Sequence, residues 1–356
     1  MTILTQPQSV CFSSGFGDIK LQLAAGESSV AVKVLLGATE VLSESYVPDA
    51  LLQVTISDLG DVLVNWLREV RGSGVLLSQQ TNWADFTVQL TTTATTSFTT
   101  RVIACVPELS ATASDFINAR FLTLCFGEKF TALGRTEIVA FYTTESSPAA
   151  CTISLRYKHN TTGAIYNTTS SRALVGTGNV RLVNVSPGLF SLANYTLVYY
   201  AAVHGARVQK FAVDSRPVMH SRHFVFRNAF GVEETFTCVG IQESETKVDR
   251  SFGYAAGKYR SFRNNPVKEF TVNTGVLTQA QADWIEDLFA SSEVAVYTSA
   301  GVVVPVTILS ESVKRYSAPD ELPAFEFKYR IQIDKPRFEV PASGGVFDDT
   351  FDYTFS

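Results

Sequence analysis

Alternating apolar and polar residues run through most of this chain. Near its start the segments SVCFSSGF, DIKLQLAAG and SVAVKVLLG alternate in this way and are separated by Gly and Ser residues. The segment DFTVQLTTTATTSFTTRVIACV repeats the pattern with Thr on the polar side. Short alternating runs bounded by turn residues are typical of half-buried β-strands. They predict a β-sandwich over residues 1–112.

A second series of strand-like segments follows. It includes CTISLRYKH, VRLVNVSPG and YTLVYYAAV, and the turn signals between them recur at the spacing expected of another sandwich. The segment DSRPVMHSRH, with its Pro and Arg residues, marks a boundary near residue 215. We therefore predict a second β-sandwich over residues 113–215.

The third part, residues 216–340, combines strands with the clearest helix of the sequence. Thr278 and Gln281 fit a capping box, which predicts a helix over residues 279–290. Its apolar residues recur at helical spacing and are Ala282, Ile285, Leu288 and Phe289, with Trp284 beside them. The later segment AFEFKYRIQI alternates cleanly and predicts a strand with one buried face. We expect the helix to lie across the sheet that contains this strand.

Three acidic residues and one proline add detail to the third part. Asp283, Glu286 and Asp287 fall largely off the apolar face of the helix, which is typical of a solvated surface rather than of an acid–base cluster. Pro305, inside the strand-like VVVPVTIL, cannot donate a ladder hydrogen bond. It therefore predicts an edge strand or a bulge.

The C-terminal residues 341–356 are predicted to form an arm. Phe347, Phe351, Tyr353 and Phe355 follow a pair of glycines and lie among acidic residues. Such a segment is either a frayed, solvated end or an arm that adds a strand to an exposed sheet edge of a neighbouring subunit. Both interpretations stay open.

Composition adds little chemistry but argues against several classes of protein. The 356 residues are 46% hydrophobic and carry a net charge of −5, which argues against a general polyanion binder. The start, MTILTQPQSV, lacks the regions of a secretory signal, and no run of about 18 apolar residues predicts a membrane span. The five cysteines are scattered without a CxxC pair, so we expect buried free thiols.

Sequence patterns for catalysis and cofactor binding are missing. GxSxG, P-loop and GxGxxG patterns do not occur. His220 and His223 form an HxxH, but in a strand a spacing of three puts the two rings on opposite faces, and no nearby side chain completes a ligand set. We therefore expect no cofactor, no metal ion and no enzymatic activity.

Two stretches are candidate binding surfaces. In KVDRSFGYAAGKYRSFRNNPVK basic and aromatic residues interleave, and Lys258, Arg260 and Arg263 form a basic strip. This composition suits either a platform for single-stranded nucleic acid or a surface hairpin with aromatic residues inward, and the acidic net charge favours the hairpin. The basic strip is also a candidate for binding an acidic partner surface, of which the acidic C-terminal arm of this chain is one example. Trp83, in the loop-like TNWADF, is the candidate for stacking on a sugar, and the competing interpretation is a buried core or rim residue.

Several phrases together resemble known proteins. SYVPDALLQVTISDLGDVL, DFINARFLT, FRNAFGVEETFTCVG and the stretch from WIEDLFASSEVAVY to VVVPVTI are similar to uncharacterised structural proteins of Bacteroidetes phages and prophages. The third part also resembles the tube-forming domain of phage distal tail proteins. The resemblance implies a mainly β, multi-domain fold, with two sandwich-like units before a tail-tube-like sheet and its flanking helix. Distal tail proteins usually carry the tube-like unit first, whereas it stands last here.

The resemblance also implies a function and a place. It implies a non-enzymatic virion component of the tail tip or baseplate, made in the bacterial cytoplasm and assembled as a homo-oligomeric ring with other tail proteins. We expect open sheet borders in the third part, with Trp284, Ile285, Leu288, Phe289 and the arm supporting assembly. The alternative is an adsorption module whose first two sandwiches bind host-surface carbohydrate. Nucleic acid is not expected to be bound sequence-specifically.

Overall fold

The computed structural model describes residues 1–67, 82–176, 179–214, 221–255, 257–297, 303–309, 314–316 and 322–332. These residues form five β-sheets and three α-helices. The fold is mainly β, as predicted, and the strands of each sheet come from one part of the chain. No helix in these ranges is long and apolar enough to cross a membrane. All five cysteines are buried free thiols, which confirms the expectation from their spacing.

The first part is a sandwich of two sheets. Its elements are β1 (Thr2–Thr5), β2 (Val10–Phe12), β3 (Ile19–Gln22), β4 (Val30–Leu36), β5 (Thr39–Tyr46), β6 (Gln53–Ile56), α1 (Leu59–Val64), β7 (Trp83–Thr91) and β8 (Thr95–Ile103). One sheet has the strand order β1-β3-β6 and the other the order β2-β8-β7-β4-β5. Alternate residues of the strands, such as Val30, Val32 and Val34, point inward and share one apolar core between the sheets.

The second part is a sandwich of two unequal sheets. Its elements are α2 (Ala113–Ala119), β9 (Glu128–Ala132), β10 (Ile138–Tyr142), β11 (Cys151–His159), β12 (Ile165–Arg172), β13 (Val180–Asn184), β14 (Tyr195–His204) and β15 (Arg207–Asp214). The larger sheet has the order β12-β11-β14-β15-β9, and β10 pairs with β13 in the smaller one. Phe141 and Val183 of the small sheet pack with Ile153, Tyr200 and Phe211 of the large sheet.

The third part is one eight-stranded sheet covered by a helix. Its elements are β16 (Arg222–Arg227), β17 (Glu233–Cys238), β18 (Gln242–Ala255), β19 (Lys258–Asn273), α3 (Gln279–Ala290), β20 (Val294–Tyr297), β21 (Val303–Ile308), β22 (Lys314–Tyr316) and β23 (Ala324–Ile331). The order is β17-β16-β20-β21-β23-β19-β18, and β22 pairs with β23. The capping box of Thr278 and Gln281 is formed, and Leu288 packs with Phe325 and Phe327. The predicted helix and its place on the sheet are confirmed.

Pro305 lies inside this sheet, whereas an edge strand or a bulge was predicted. β21 pairs with β20 on one side, where Pro305 stands opposite Ala295, and with β23 on the other side, starting at Val306. The Pro305 carbonyl accepts a hydrogen bond from the Gln332 N–H at 3.0 Å. The proline therefore stands at the end of the ladder with β23, where its missing N–H removes only one hydrogen bond.

The three parts meet in a shared apolar cluster. Each part contributes one phenylalanine, and the ring centroids are 5.5 Å apart for Phe12 and Phe116, 5.7 Å for Phe12 and Phe230, and 5.1 Å for Phe116 and Phe230. Aliphatic residues such as Ile103 and Leu182 surround these rings and are buried with them. The parts therefore fold against one another.

Candidate functional site

The two longest described strands form a hairpin that extends beyond its sheet. β18 and β19 pair along nearly their whole length, but β19 pairs with β23 only over Glu269–Asn273. Residues 246–255 and 257–268, which we call the ribbon, have no other strand beside them in the described chain. At about 3.3 Å per residue the ribbon reaches roughly 35 Å from the sheet.

One face of the ribbon carries uncovered aromatic side chains, with Arg250 and Lys268 on the same face between them and the sheet. The register puts Phe252, Tyr254 and Tyr259 on the same face as Phe270 at the base of the hairpin. The Phe270 ring stacks on the buried Tyr329 with 5.0 Å between centroids, so this face continues the core face of the sheet. Beyond the sheet the side chains are open to solvent, with exposed fractions of 60% for Phe252, 68% for Tyr254 and 79% for Tyr259.

The opposite face of the ribbon is polar and carries the basic strip. Lys247 donates a hydrogen bond to Glu269 across the hairpin at 2.6 Å, and Lys258 and Arg260 are exposed near the tip. Arg263 lies in β19, and its side chain is outside the described part. The basic strip lies on a hairpin, which agrees with one of the two interpretations of its sequence. The aromatic residues, however, are exposed rather than inward, because the sheet ends before it reaches them.

The two borders of the third sheet differ. β18 forms one border and has no neighbour other than β19 in the described chain. β17 forms the other border, and there Glu234, Thr235 and Phe236 are buried. Thr235 donates to Glu137 of the second part at 2.8 Å. The expectation of open borders was therefore wrong for β17, because the second part covers it.

The helix residues that we assigned to assembly face their own sheet. Trp284, Ile285 and Leu288 are 3%, 0% and 0% exposed, and the Phe289 ring contacts Phe325 at 5.7 Å between centroids. A second copy of the chain cannot contact the buried three directly. Their contribution to any assembly is to fix the fold that presents the ribbon.

Some predicted residues lie outside the described part of the chain. They are the aromatic residues of the arm, Phe347, Phe351, Tyr353 and Phe355, and the first histidine of the HxxH, His220. The docking of the arm stays a prediction.

The second histidine, His223, is buried in the sheet. Its Nδ1 lies 2.7 Å from Thr237 Oγ1, and its Nε2 lies 3.1 Å from the Thr136 carbonyl oxygen. Burial lowers the pKa of His223 to about 4, and the Arg135 charge acts in the same direction. The ring is therefore neutral and fully engaged in hydrogen bonds at neutral pH.

Trp83 does not lie in a loop, as its segment suggested. It is the first residue of β7 and packs at the edge of the apolar cluster between the parts. The guanidinium carbon of Arg101 lies 4.5 Å from the Trp83 ring centroid, and Tyr142 meets the ring edge-on at 6.1 Å. Because a cation already covers one ring face, Trp83 does not form the open platform expected of a sugar-stacking residue.

Charged side chains of the second and third parts meet inside the protein. Lys129 of β9 forms an ion pair with Glu234 of β17, and both side chains are 3% exposed. The Lys129 Nζ also lies 4.4 Å from the centroid of the Trp284 ring. Thr123 and Asn228 donate hydrogen bonds to the Glu234 carboxylate at 2.5 and 2.8 Å. Both carboxylate oxygens of Glu234 are therefore bonded, as a buried charge requires.

Two further carboxyl groups lie near this ion pair. Glu137 accepts a hydrogen bond from Thr235 Oγ1 at 2.8 Å, and Asp287 of α3 accepts one from a backbone N–H of the β16–β17 loop at 3.0 Å. Burial raises the pKa of Glu137 to about 7 and the pKa of Asp287 to about 7. Burial also lowers the pKa of Lys129, but the neighbouring anionic groups, Glu234 first, outweigh it and hold the pKa above its ordinary value. We call Lys129, Glu137, Glu234 and Asp287 the buried polar cluster.

The buried polar cluster joins the two parts and has no room for a substrate. The cavity beside Lys129, Asn228 and Glu234 has a volume of about 10 Å³, the size of one water molecule. Asp287 is 8% exposed, so its assignment to the solvated helix face was wrong. The reason is that α3 packs on the second part as well as on its own sheet, where Gln281 Nε2 donates to a β9 carbonyl at 2.7 Å.

We did not predict this cluster from the sequence, although one signal was present. In β9 the polar Lys129 and Thr131 are buried and Phe130 is 50% exposed, which reverses the usual pattern of a strand. Glu233 and Glu234 likewise open a strand that is otherwise apolar or Thr-rich. Charged residues at core positions are rare unless they are paired, so such reversals indicate a buried ion pair.

Comparison with known proteins gives no further assignment. No model of a known protein family matches the chain, and no curated protein matches it. The likeness to phage structural proteins therefore rests on the sequence phrases alone.

Proposed function

We propose that this chain is a non-enzymatic structural subunit of a bacteriophage virion, a component of the tail tip or baseplate, that assembles with copies of itself into a ring. The resemblance of several sequence phrases to phage structural proteins supports the virion assignment. The observation that carries the assembly is the group of uncovered aromatic side chains on one face of the ribbon.

An uncovered aromatic face of this kind is typical of an interface. Burying a large apolar side chain stabilises a protein by about 1.5–3 kcal/mol relative to leaving it exposed. Phe252, Tyr254 and Tyr259 lie together on one face, and contiguous exposed apolar surface usually marks a site of association. Tyrosine is enriched at interfaces because its ring is apolar and its hydroxyl tolerates water.

Charge favours a second copy of the chain as the partner. The segment 246–268 has six Lys and Arg residues and one acidic residue, a net charge of +5, whereas the whole chain has −5, which leaves −10 for the rest. A basic projection is thus attracted to the acidic body of a neighbouring copy. Contact between two different surfaces of identical subunits is heterologous, and heterologous contacts close into rings when the rotation permits.

The experiment is to measure the oligomeric state of the full chain with and without the aromatic face. We expect the variant Phe252→Ser/Tyr254→Ser/Tyr259→Ser to be monomeric, and we expect the wild type to form rings, when both are examined by sedimentation and negative-stain microscopy. A control variant with Leu4→Ser, Val47→Ser and Leu51→Ser changes three apolar residues that are also exposed, at 54%, 77% and 71%, but lie in the first part. We expect this control to assemble like the wild type.

Two results would contradict the proposal. One is a wild-type chain that stays monomeric at about 100 μM, a concentration at which even a weak interface is populated. The other is a ribbon variant that assembles as the wild type does. Because the attraction is partly electrostatic, we also expect assembly to weaken as salt is raised toward about 1 M.

A further inference from the structure

The outer face of the larger sheet in the second part carries a groove that the assembly proposal does not use. It lies over β11, β12 and β14 and has a volume of about 420 Å³. Alternate residues of β11 are buried, and Ser154 and Arg156 point to the solvent side. The register places Thr169 opposite Ser154, and it places Asn167 and Tyr199 on the two sides of Arg156. A guanidinium, an amide, two hydroxyls and a phenol thus line one open surface.

These groups are available to a ligand. Within the described ranges, no hydrogen bond or ion pair engages the side chains of Ser154, Arg156, Asn167 or Thr169. Tyr199 is partly buried and lines one side of the groove. Burial raises the pKa of Tyr199, and the Glu128 charge adds to this, so the phenol keeps its proton and can donate a hydrogen bond.

The charge of this surface is positive. Arg156 and Lys158 are the cations on the outer side of β11. The residues beside β11 on this face of β12 and β14 include no carboxyl group and are Ile165, Asn167, Thr169, Ser171, Thr196, Tyr199, Ala201 and Val203. Glu128 of β9 is on the same face, and its charge reaches Tyr199, but Lys210 stands opposite it in the register, so the cations remain in excess on this face. The groove therefore favours a ligand with a negative charge.

The mixture of groups indicates the class of ligand. A guanidinium binds a carboxylate through two parallel hydrogen bonds. Hydroxyl and amide side chains exchange hydrogen bonds with sugar hydroxyls, and an aromatic side chain packs against the apolar face of a sugar ring. Ligand sites typically combine a few polar groups with apolar contact in this way. A nucleic-acid surface would instead need several cations and stacked aromatic rings along a track.

We propose that this groove binds an acidic oligosaccharide, with the Arg156 guanidinium on the carboxylate of a uronic or sialic acid unit and Ser154, Asn167 and Thr169 on its hydroxyls. The site lies on the second part, and its binding does not depend on the ribbon or on ring assembly. It replaces Trp83 as the surface at which this chain would contact carbohydrate.

The test is titration calorimetry of the full chain with a panel of acidic oligosaccharides. The panel contains a galacturonate trimer, a mannuronate trimer and sialyllactose, each at up to about 10 mM, which detects weak single-site binding. The variant is Arg156→Gln. The matched control is Arg250→Gln, which removes the same charge from an exposed arginine of the ribbon. Maltotriose serves as the neutral sugar, and an oligothymidylate serves as the nucleic-acid probe.

We expect at least one acidic sugar to bind the wild type and the Arg250→Gln control equally, and to bind Arg156→Gln at least about 10-fold more weakly, since a charged bidentate contact is lost. Maltotriose and the oligothymidylate should bind much more weakly than that sugar. The proposal is overturned if no acidic sugar binds, if Arg156→Gln binds as the wild type does, or if either comparison probe binds as tightly.

Discussion

Single residues show how a largely β chain can hold a charge inside. Moving a lysine and a carboxylate from water into a protein costs several kcal/mol for each ion, and the attraction between them repays this only when the remaining polar atoms are also bonded. At Lys129 and Glu234 the hydroxyl of Thr123, the amide of Asn228 and the face of Trp284 supply that environment. The pair is therefore stable as a unit and costly to break.

Removing one member of this pair should destabilise the protein strongly. We expect Lys129→Met to lower the free energy of unfolding by about 3–5 kcal/mol, because Glu234 would be left as an unpaired buried charge. The measurement is urea unfolding of the assembly-deficient ribbon variant, so that association does not contribute. Lys33→Met is the control, because the Lys33–Glu40 pair is 49% and 47% exposed, and its loss should cost no more than about 1 kcal/mol. If Lys129→Met and Lys33→Met lowered the free energy of unfolding equally, Glu234 would not be an unpaired buried charge in Lys129→Met, and the prediction would be contradicted.

At the scale of elements, the ribbon and α3 follow opposite rules. The apolar face of α3 is covered by its own sheet, so the helix is part of the core. The aromatic face of the ribbon continues beyond the sheet and has nothing over it in the described chain, so we expect the ribbon to contribute little to the fold of its own subunit. The proposed assembly gives this element contacts outside the subunit.

Shortening the hairpin should separate folding from assembly. Glu245 and Glu269 are opposite each other in the register, so an Asn-Gly turn can join them in place of residues 246–268. We expect the thermal midpoint, compared with the monomeric triple-serine variant, to change by less than about 4 °C, because little buried surface is lost. Assembly should be abolished. A fall of about 10 °C or more would mean that the ribbon belongs to the core.

At the scale of the whole molecule, the buried polar cluster links stability to pH. The pKa of Glu137 rises from an ordinary 4.5 to about 7, and that of Asp287 rises from 3.8 to about 7, because both are buried. A carboxyl group with a higher pKa in the folded than in the unfolded protein holds its proton more tightly when folded. The stability that this tighter proton binding adds is fully present when the pH is below the ordinary pKa of the carboxyl group. It is lost as the pH rises to about 7.

The substitution Asp287→Asn isolates this effect, because the amide cannot ionise. We expect the variant to gain stability relative to the wild type as the pH rises from about 5 to about 8, by on the order of 3 kcal/mol. Urea unfolding across this range provides the measurement. Asp283→Asn, at an exposed position on the same helix, should show no such trend. A pH-independent difference for Asp287→Asn would contradict the assignment.

The features that could be predicted from the sequence are those encoded by near neighbours. The helix at 279–290 follows from its capping box and its apolar spacing, and β23 follows from its strict alternation. Helix α2 also had a local signal that we did not use, because the Thr112 side chain caps it by accepting from the Asp115 N–H. Such signals act within a few residues, so they are visible in a single sequence.

The features that escaped prediction depend on distant residues. Lys129, Glu234 and Asp287 are brought together only by the packing of the second part on the third. The exposure of Tyr254 and Tyr259 depends on where β23 stops, which the composition of the hairpin does not encode. The basic and aromatic content of that hairpin was visible, but its uncovered face was not.

The contacts among Phe12, Phe116 and Phe230 determine how much of the protein can fold while it is being synthesised. On the ribosome the first sandwich can close as soon as β8 has emerged, but the ring of Phe230 arrives more than a hundred residues after that of Phe116. Glu234 and then Asp287 follow, so Lys129 lacks its ion-pair partner until about two thirds of the chain is translated. A truncated product that stops before this point would expose the apolar surface that Phe230 covers and would leave Lys129 unpaired. We expect such a product to be degraded by cellular proteases.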